Sequence, residues 1–492
     1  PGDVPIRCAR AGQPALFMAQ IFEWIYVIAA VLLLFGAAIA IHEWGHFWVA
    51  LKRGLKVEEF AIGFGPKLWS RTKDGIEYTL RAIPAGGFVK LPQMLTSEAL
   101  EGEQKLAEPL PPVTPWSKIL VAFAGPLMNL IFAFVLATII YFCGLPILVN
   151  PPFIGRVDPE SAEGKLGIRE GDRIVEVNGN PVRSWQDITF ETATARTNVL
   201  PVVIERDGKR TPYQLTTRTG SSLAGLKWLN LDPREHPIIG SVQPDMPAAA
   251  AGMKGGDKFV SFNSVPVLSQ EHLIDLVGKS EGKQSEVVVL RKGERMTFQL
   301  TPKYDPEAKR GRIGVIFGGG IYELQKPGPL PWEQVSDVVK RTFGTLGALI
   351  HSKETGVKAK DLSGPIGIFS MLAIQVKTHW LLALSFMVLL NVNLAVLNLL
   401  PVPVLDGGHI VMSIIESIRR KPLSARFVEY TTTAFAVALL SFMLYVTFFD
   451  LKRMPFFKTM FNQETQVEPG QKKDAPAPAP ATTPASDPAP AK

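Results

Sequence analysis

Cysteine is almost missing from this chain: Cys8 and Cys143 are the only two in 492 residues, and neither has CxxC or other metal-type spacing. A disulfide framework is excluded, and a thiolate metal site has no ligand set. Long Lys/Arg runs are missing too, as are basic stretches interleaved with aromatics, although the formal charge is +7. That charge reads as membrane-flanking, and no nucleic-acid partner is expected. No inverted repeat and no second set of broken helices is present, which leaves a transporter without support. Arg7 and Arg10 suit the start of a signal peptide, but no small-residue cleavage site follows. Cleavage there would also remove the first apolar run, so the segment is expected to stay. Met18 stands as an alternative start, with residues 1–17 then an upstream addition.

What is present is a mixture. The chain is 47% hydrophobic with a mean hydropathy of +0.15, between a soluble enzyme and a pure membrane bundle. Four apolar runs stand out, at residues 25–41, 119–142, 381–400 and 431–449. A helix needs about 20 apolar residues to cross a core of roughly 30 Å, so each is expected to span. The expected layout is an N-terminal segment (1–24), a first transmembrane helix (25–56), a second (119–142), an amphipathic linker region (330–375), a third (381–409) and a fourth (431–450). Residues 466–492 are rich in Pro and Ala and are expected to be disordered.

Lys52, Arg53, Lys56, Lys67, Arg71 and Lys73 follow the first run, and Arg419, Arg420, Lys421 and Arg426 separate the third from the fourth. The positive-inside rule makes these segments cytoplasmic and residues 143–380 extracytoplasmic. Lys452, Arg453 and Lys458 point the other way and are outvoted.

The long segment contains a duplication. Residues 154–182 and 239–267 align at a constant offset of 85, matching Ile154 with Ile239, Gly171 with Gly256, Asp172 with Asp257 and Asn178 with Asn263. Short alternating strands flank a brief helical stretch in each copy, and the pattern resembles the bacterial type of PDZ domain, here at 151–225 and 236–305. Such domains bind extended peptides by adding a strand to an open sheet edge; passive spacers are the plainer reading. Residues 57–91 alternate as strands, either a β-hairpin beside the first span, which in lipid must be buried in protein or line a wet cavity, or a plain cytoplasmic loop.

His42-Glu43-Trp44-Gly45-His46 is an HExxH motif. On a helix His42 and His46 share a face, so one ion can take both imidazoles, and Glu43 can reach a metal-bound water as general base. A catalytic zinc needs a third protein ligand. Glu58, Glu59 and Glu77 are available as in soluble enzymes. Asp406 is the better candidate, because it sits at the membrane end of the third run, just past Pro401 and Pro403. His409 is a rival ligand, or a supporting contact to one.

HExxH in the first span, Leu405-Asp406-Gly407-Gly408 after the third and a PDZ-like pair between the second and third resemble the site-2 protease family of intramembrane metalloproteases. The resemblance covers the chain to about residue 460. It implies Zn2+ held by His42, His46 and Asp406, with Glu43 activating water. It implies that residues 57–91 form a re-entrant β-hairpin, that Asn398 and Pro401, from the NxxP motif at 398–401, bind an unwound substrate, and that the hairpin edge pairs with it. Gly125, Pro126 and Asn129 also fit the family pattern, as simple helix packing would. The segment 362–367 is family-like without a derivable chemistry. The implied substrates are single-span membrane proteins, such as anti-sigma factors shortened by another protease, and signal-peptide remnants. The implied location is the bacterial inner membrane, with membrane lipid and peptide or protein ligands of the PDZ-like domains as further partners. The expected fold class is therefore a multi-pass α-helical membrane protein of four transmembrane helices with a membrane-associated β-hairpin and two α+β PDZ-like domains. A membrane receptor built around the PDZ-like pair, with HExxH as a relic, is the non-enzymatic alternative.

Overall fold

The computed structural model describes residues 13–94, 113–148, 150–157, 159–219, 226–234, 237–291, 293–305, 310–318, 321–461 and 466–469. Helix α1 (Gln13–Lys52) opens the described chain. Its apolar stretch is Ile21–Lys52, and three further helices are long and apolar enough to cross a membrane: Pro115–Cys143, Trp380–Asn398 and Arg426–Pro455. Helix α1 stops where Gly54 takes φ +73 and its N–H returns to the Leu51 carbonyl, the left-handed ending that glycine allows.

Strands β1 (Glu59–Lys73) and β2 (Ile76–Lys90) follow. The pairing is richer than a plain hairpin. Residues 76–80 pair with 69–73 on one side and with 59–62 on the other, while 87–90 pair with the far side of 59–62. The result is a four-segment sheet in the order 69–73, 76–80, 59–62, 87–90, whose outer edges are 69–73 and 87–90.

Helix α2 (Pro115–Cys143) is capped by Thr114, whose hydroxyl accepts from the Ser117 N–H, and carries Pro126 inside it. Strand β3 (Leu145–Leu148) leads away from the span. The two sequence repeats then fold into one topology. The first sheet runs Asn180–Pro181, Arg173–Val177, Val199–Arg206, Lys209–Thr216; the second runs Val265–Pro266, Lys258–Phe262, Ser285–Arg291, Glu294–Leu300. Helix α3 (Trp185–Thr194) and helix α4 (Gln270–Lys279) occupy the same place in each copy. Both copies also lock a buried aspartate to an arginine: Arg206 Nε donates to Asp172 at 2.5 Å, Arg291 Nε to Asp257 at 2.6 Å. Each repeat extends beyond the expected limits of 225 and 305. The first closes through strands at Lys227–Trp228 and Asp232–Pro233, the second through β4 (Val315–Phe317).

The copies differ on the face between helix and closing strand. In the second, a cavity of about 560 Å³ opens between α4 and β4, lined by Leu273, Ile274, Val277, Val315 and Phe317. In the first, Lys227 holds the place of Gly311, and its buried ammonium donates to the carbonyls of Ala195 (3.0 Å) and Thr197 (3.2 Å) just past α3. Burial lowers the Lys227 pKa below its ordinary value.

Strand β5 (Ile321–Gln325) returns the chain to the membrane part and pairs with β3. Helices α5 (Pro331–Ile350), α6 (Pro365–Thr378), α7 (Trp380–Asn398), α8 (Asp406–Arg419) and α9 (Ala425–Phe461) complete it. The core of this part joins Val31 of α1, Leu136 of α2, Val335 of α5, Leu372 of α6 and Met387 of α7. Truncating a buried leucine such as Leu372 costs about 2–5 kcal/mol.

Two expectations need correction. The third span does not run from 381 to 409: α7 ends at Asn398, an irregular stretch with Pro401 and Pro403 follows, and α8 starts afresh at Asp406. Proline supplies no N–H to a continuing helix and disfavours helical backbone before it. The tail is not disordered throughout, because β6 (Gln466–Pro469) pairs in parallel with β5. Residues 470–492 and 1–12 lie outside the described residues.

The segment 362–367 now has a physical account. Gly364 and Pro365 start α6, and the Gly367 N–H donates to Asp450 Oδ2 of α9 at 2.8 Å. Arg453 donates to the carbonyls of Leu362 and Lys360. A carboxylate on one helix thus caps the positive end of another.

Candidate metal centre

Helical spacing puts the two histidines of α1 on one face, and α8 delivers the carboxylate. His42 Nε2 lies 3.2 Å from His46 Nε2. Asp406 Oδ2 is 3.4 Å from His42 Nε2, and Asp406 Oδ1 is 3.4 Å from His46 Nε2. The three ligand atoms lie within 4.8 Å of one another, a donor set of two imidazoles and one carboxylate that suits zinc.

Helix α2 orients this set. His46 Nδ1 meets the Val121 carbonyl at 2.8 Å, so Nδ1 carries the proton and Nε2 offers its lone pair to the centre. His42 Nδ1 meets the Asn129 side-chain amide at 3.1 Å. The Asn129 oxygen, buried without a partner, reaches that nitrogen when the amide turns over. His42 then donates from Nδ1, and its Nε2 is free for metal as well. Gly125 roofs the centre: a β-carbon there would lie 2.2 Å from His46 Nε2 and 2.9 Å from His42 Cε1. The glycine leaves room that any side chain would fill.

A cavity of about 220 Å³ opens from the centre and is lined by Glu43, His409, Val121 and residues 87–91. Glu43 packs against the edge segment, since a β-carbon on Gly87 would touch its Cγ at 2.7 Å. The Glu58 N–H donates to the Lys90 carbonyl. Groups of one residue point to one side of a strand and alternate along it, so Val89 presents its N–H and C=O away from β1. Among the described residues no other strand pairs with that side.

The other residues singled out from the sequence fall elsewhere. Glu59 binds Arg81 at 2.7 Å, Glu77 binds Lys67 at 2.5 Å, and Glu58 faces Lys90 at 3.5 Å. None of the three joins the histidines. His409 shares the cavity but lies outside the three-atom cluster. Asn398 ends α7 without lining the cavity, and Pro401 is exposed. Sequence reasoning left Gly125 and Asn129 undecided between site and packing; their signal is only that both lie on one turn of an apolar helix facing HExxH.

The profile of Peptidase family M50 matches residues 30–442. A protein of Pasteurella multocida whose name describes a zinc metalloprotease is 30% identical over 467 residues, covering 88% of this chain and 100% of that protein. The regulator of sigma-E protease RseP of Escherichia coli is 28% identical over 471 residues, again covering 88% of this chain and 100% of its own length. Among solved structures, a PDZ domain of an SdrC-like protein from Listeria monocytogenes covers 17% of this chain and 87% of its own at 17% identity, with a TM-score of 0.16.

Proposed function

The chain belongs to peptidase family M50, a zinc metalloprotease of the membrane, and from that premise we propose that it cuts single-span membrane proteins within their membrane segments. The observation that carries this reading is the convergence of His42, His46 and Asp406 from two helices beside Glu43 and beside a strand edge that faces the cavity. The receptor reading gives way to the enzyme.

In this reading His42, His46 and Asp406 hold zinc. Bound there, zinc supplies Lewis acidity toward the scissile carbonyl and the attacking water. Glu43 takes the proton from that water as its oxygen bonds to the carbonyl carbon, and delivers it to the amine as the C–N bond breaks. A transmembrane helix hides its carbonyls in its own hydrogen bonds, so the substrate must unwind first. Residues 87–89 accept the freed backbone as an added strand, and Asn398, held in place by Pro401, engages it at the exit of α7. The duplicated PDZ-like domains stand between the spans as a filter for substrate ectodomains, and the open groove of the second takes a peptide end. The site faces the cytoplasmic side of a bacterial inner membrane, and anti-sigma-factor-type proteins are the substrate class.

The test is cleavage of a tagged single-span substrate by the purified chain, with zinc measured on the same samples. Glu43→Gln should keep zinc and stop cutting; Asp406→Ala should lose both. Full zinc and full activity in Asp406→Ala would place the third ligand elsewhere.

A further inference from the structure

Helix α8 carries more than the carboxylate at its start. Val411, Ile414, Ile415 and Ile418 recur at helical spacing and are all exposed, Ile418 at 76%. The opposite face is fixed: Ser413 and Glu416 are buried, Lys118 Nζ of α2 donates to Glu416 Oε2 at 2.9 Å, and the Leu423 N–H donates to Glu416 Oε1 at 3.1 Å. The apolar stripe is therefore a surface, held outward by an ion pair on the other side.

Its position follows from the flanking spans. Helices α7 and α9 both cross the membrane, so the connection between them lies at one surface. Helix α8 is about 21 Å long; it leaves the metal centre at Asp406 and passes Lys118, near the start of α2, at Glu416, so its far end lies at that surface. At its end Arg420 takes φ +52 and turns the chain. Arg419, Arg420, Lys421 and Arg426 are exposed there, and no carboxylate pairs with them among the described residues. Phe427 and Tyr430 are exposed just beyond, where aromatic rings mark a headgroup level.

An apolar stripe that faces outward and ends in exposed cations at the headgroup level is the pattern that holds anionic lipid. We propose that the Arg419–Arg420–Lys421 cluster at the end of α8, together with Arg426, binds anionic phospholipid. The apolar stripe supplies the contact and the cations supply the choice of lipid.

The experiment uses the full zinc-loaded chain in mixed phosphatidylcholine and phosphatidylglycerol, with bound lipid counted by native mass spectrometry; it needs no proteolysis and so stands or falls apart from the substrate reading. The intact chain should retain phosphatidylglycerol preferentially. Removing three cations in R419Q/R420Q/K421Q should weaken that preference by roughly a hundredfold at low salt, whereas the same number of neutralised cations on the first repeat (Lys209→Gln, Arg210→Gln, Lys165→Gln) should leave it alone. Ile418→Ser should reduce retention of both lipids alike. Equal retention of the two lipids by the intact chain, or an undiminished preference in the triple variant, overturns the proposal.

Discussion

A β-carbon on Gly125 would stand 2.2 Å from His46 Nε2 and 2.6 Å from His46 Cε1, so Gly125→Ala must push the imidazole out of the centre. We expect the variant to fold, because the residue lies on a helix where alanine is favourable, and to lose zinc. Metal content against circular dichroism separates the two effects. Asn129→Ala acts more gently, since it removes only the group that orients His42; zinc affinity should fall by roughly 10–100-fold. His409→Asn should keep zinc, in contrast to Asp406→Ala, because His409 lies outside the three-atom cluster. Zinc lost from His409→Asn would make it a ligand after all. These residues also mark the limit of what the sequence discloses. His42 and His46 are legible because the helical period alone puts them on one face, and Asp406 because two prolines end an apolar run just before it. Gly125 and Asn129 are not, because a glycine that clears a metal centre and a glycine that lets two helices touch leave the same letter in an apolar stretch.

At the level of elements, the sheet of 59–90 was legible as alternating strands but not as a path. Register depends on which segments sandwich 59–62, and both neighbours are equally alternating in sequence. The structure singles out 87–89 as the edge beside Glu43, and this gives a directional test. Val89→Pro removes an N–H that points away from β1, at the edge that lines the cavity, and should slow substrate cleavage while zinc content stays constant. Phe88→Pro removes one that points to β1 and should disorder the sheet itself. Equal activity of Val89→Pro and the intact chain would rule out strand pairing with substrate. The repeat sheets carry a second element-scale prediction. Asp172 is 2% exposed; burial by itself would raise its pKa, but the hydrogen bonds and charge of Arg206 prevail and hold it below the ordinary carboxylate value. A depressed carboxylate contributes stability that is present above its unfolded pKa, about 3.9, and is lost as pH falls through the folded value. Arg206→Met should abolish that acid sensitivity and destabilise the first repeat by about 2 kcal/mol, less than for a fully buried pair because the guanidinium is partly solvated. Hydrogen exchange on the intact protein between pH 3 and 7 reads both.

At the scale of the whole molecule, the two repeats are sequence twins with different surroundings, and α5 is where the difference matters. Arg341 of α5 binds Asp187 of α3 at 2.7 Å and stands over the Phe190 ring at 5.4 Å. Helix α5 therefore touches two parts of the molecule through three residues: besides Arg341, Gln334 donates to the Ala137 carbonyl of α2 at 3.1 Å, and Thr342 donates to Asn393 of α7 at 2.5 Å. Helix α2 carries Gly125 and Asn129, and α7 ends at Asn398, so the first repeat is mechanically tied to the elements that shape the centre. The sequence shows the duplication and the amphipathic stretch but not this bond, because an exposed arginine on one and an acid on the other read as solvated faces. If the repeats screen substrate ectodomains from this attachment, Arg341→Ala should relax the screen. Cleavage of a single-span substrate bearing a folded ectodomain should rise several-fold, cleavage of the same substrate already trimmed should change little, and zinc should be unaltered. Replacing Lys340 on the same helix, which has no such partner, serves as the control. If Arg341→Ala alters neither substrate, the attachment is only a structural support and the screen, if one operates, works through another contact.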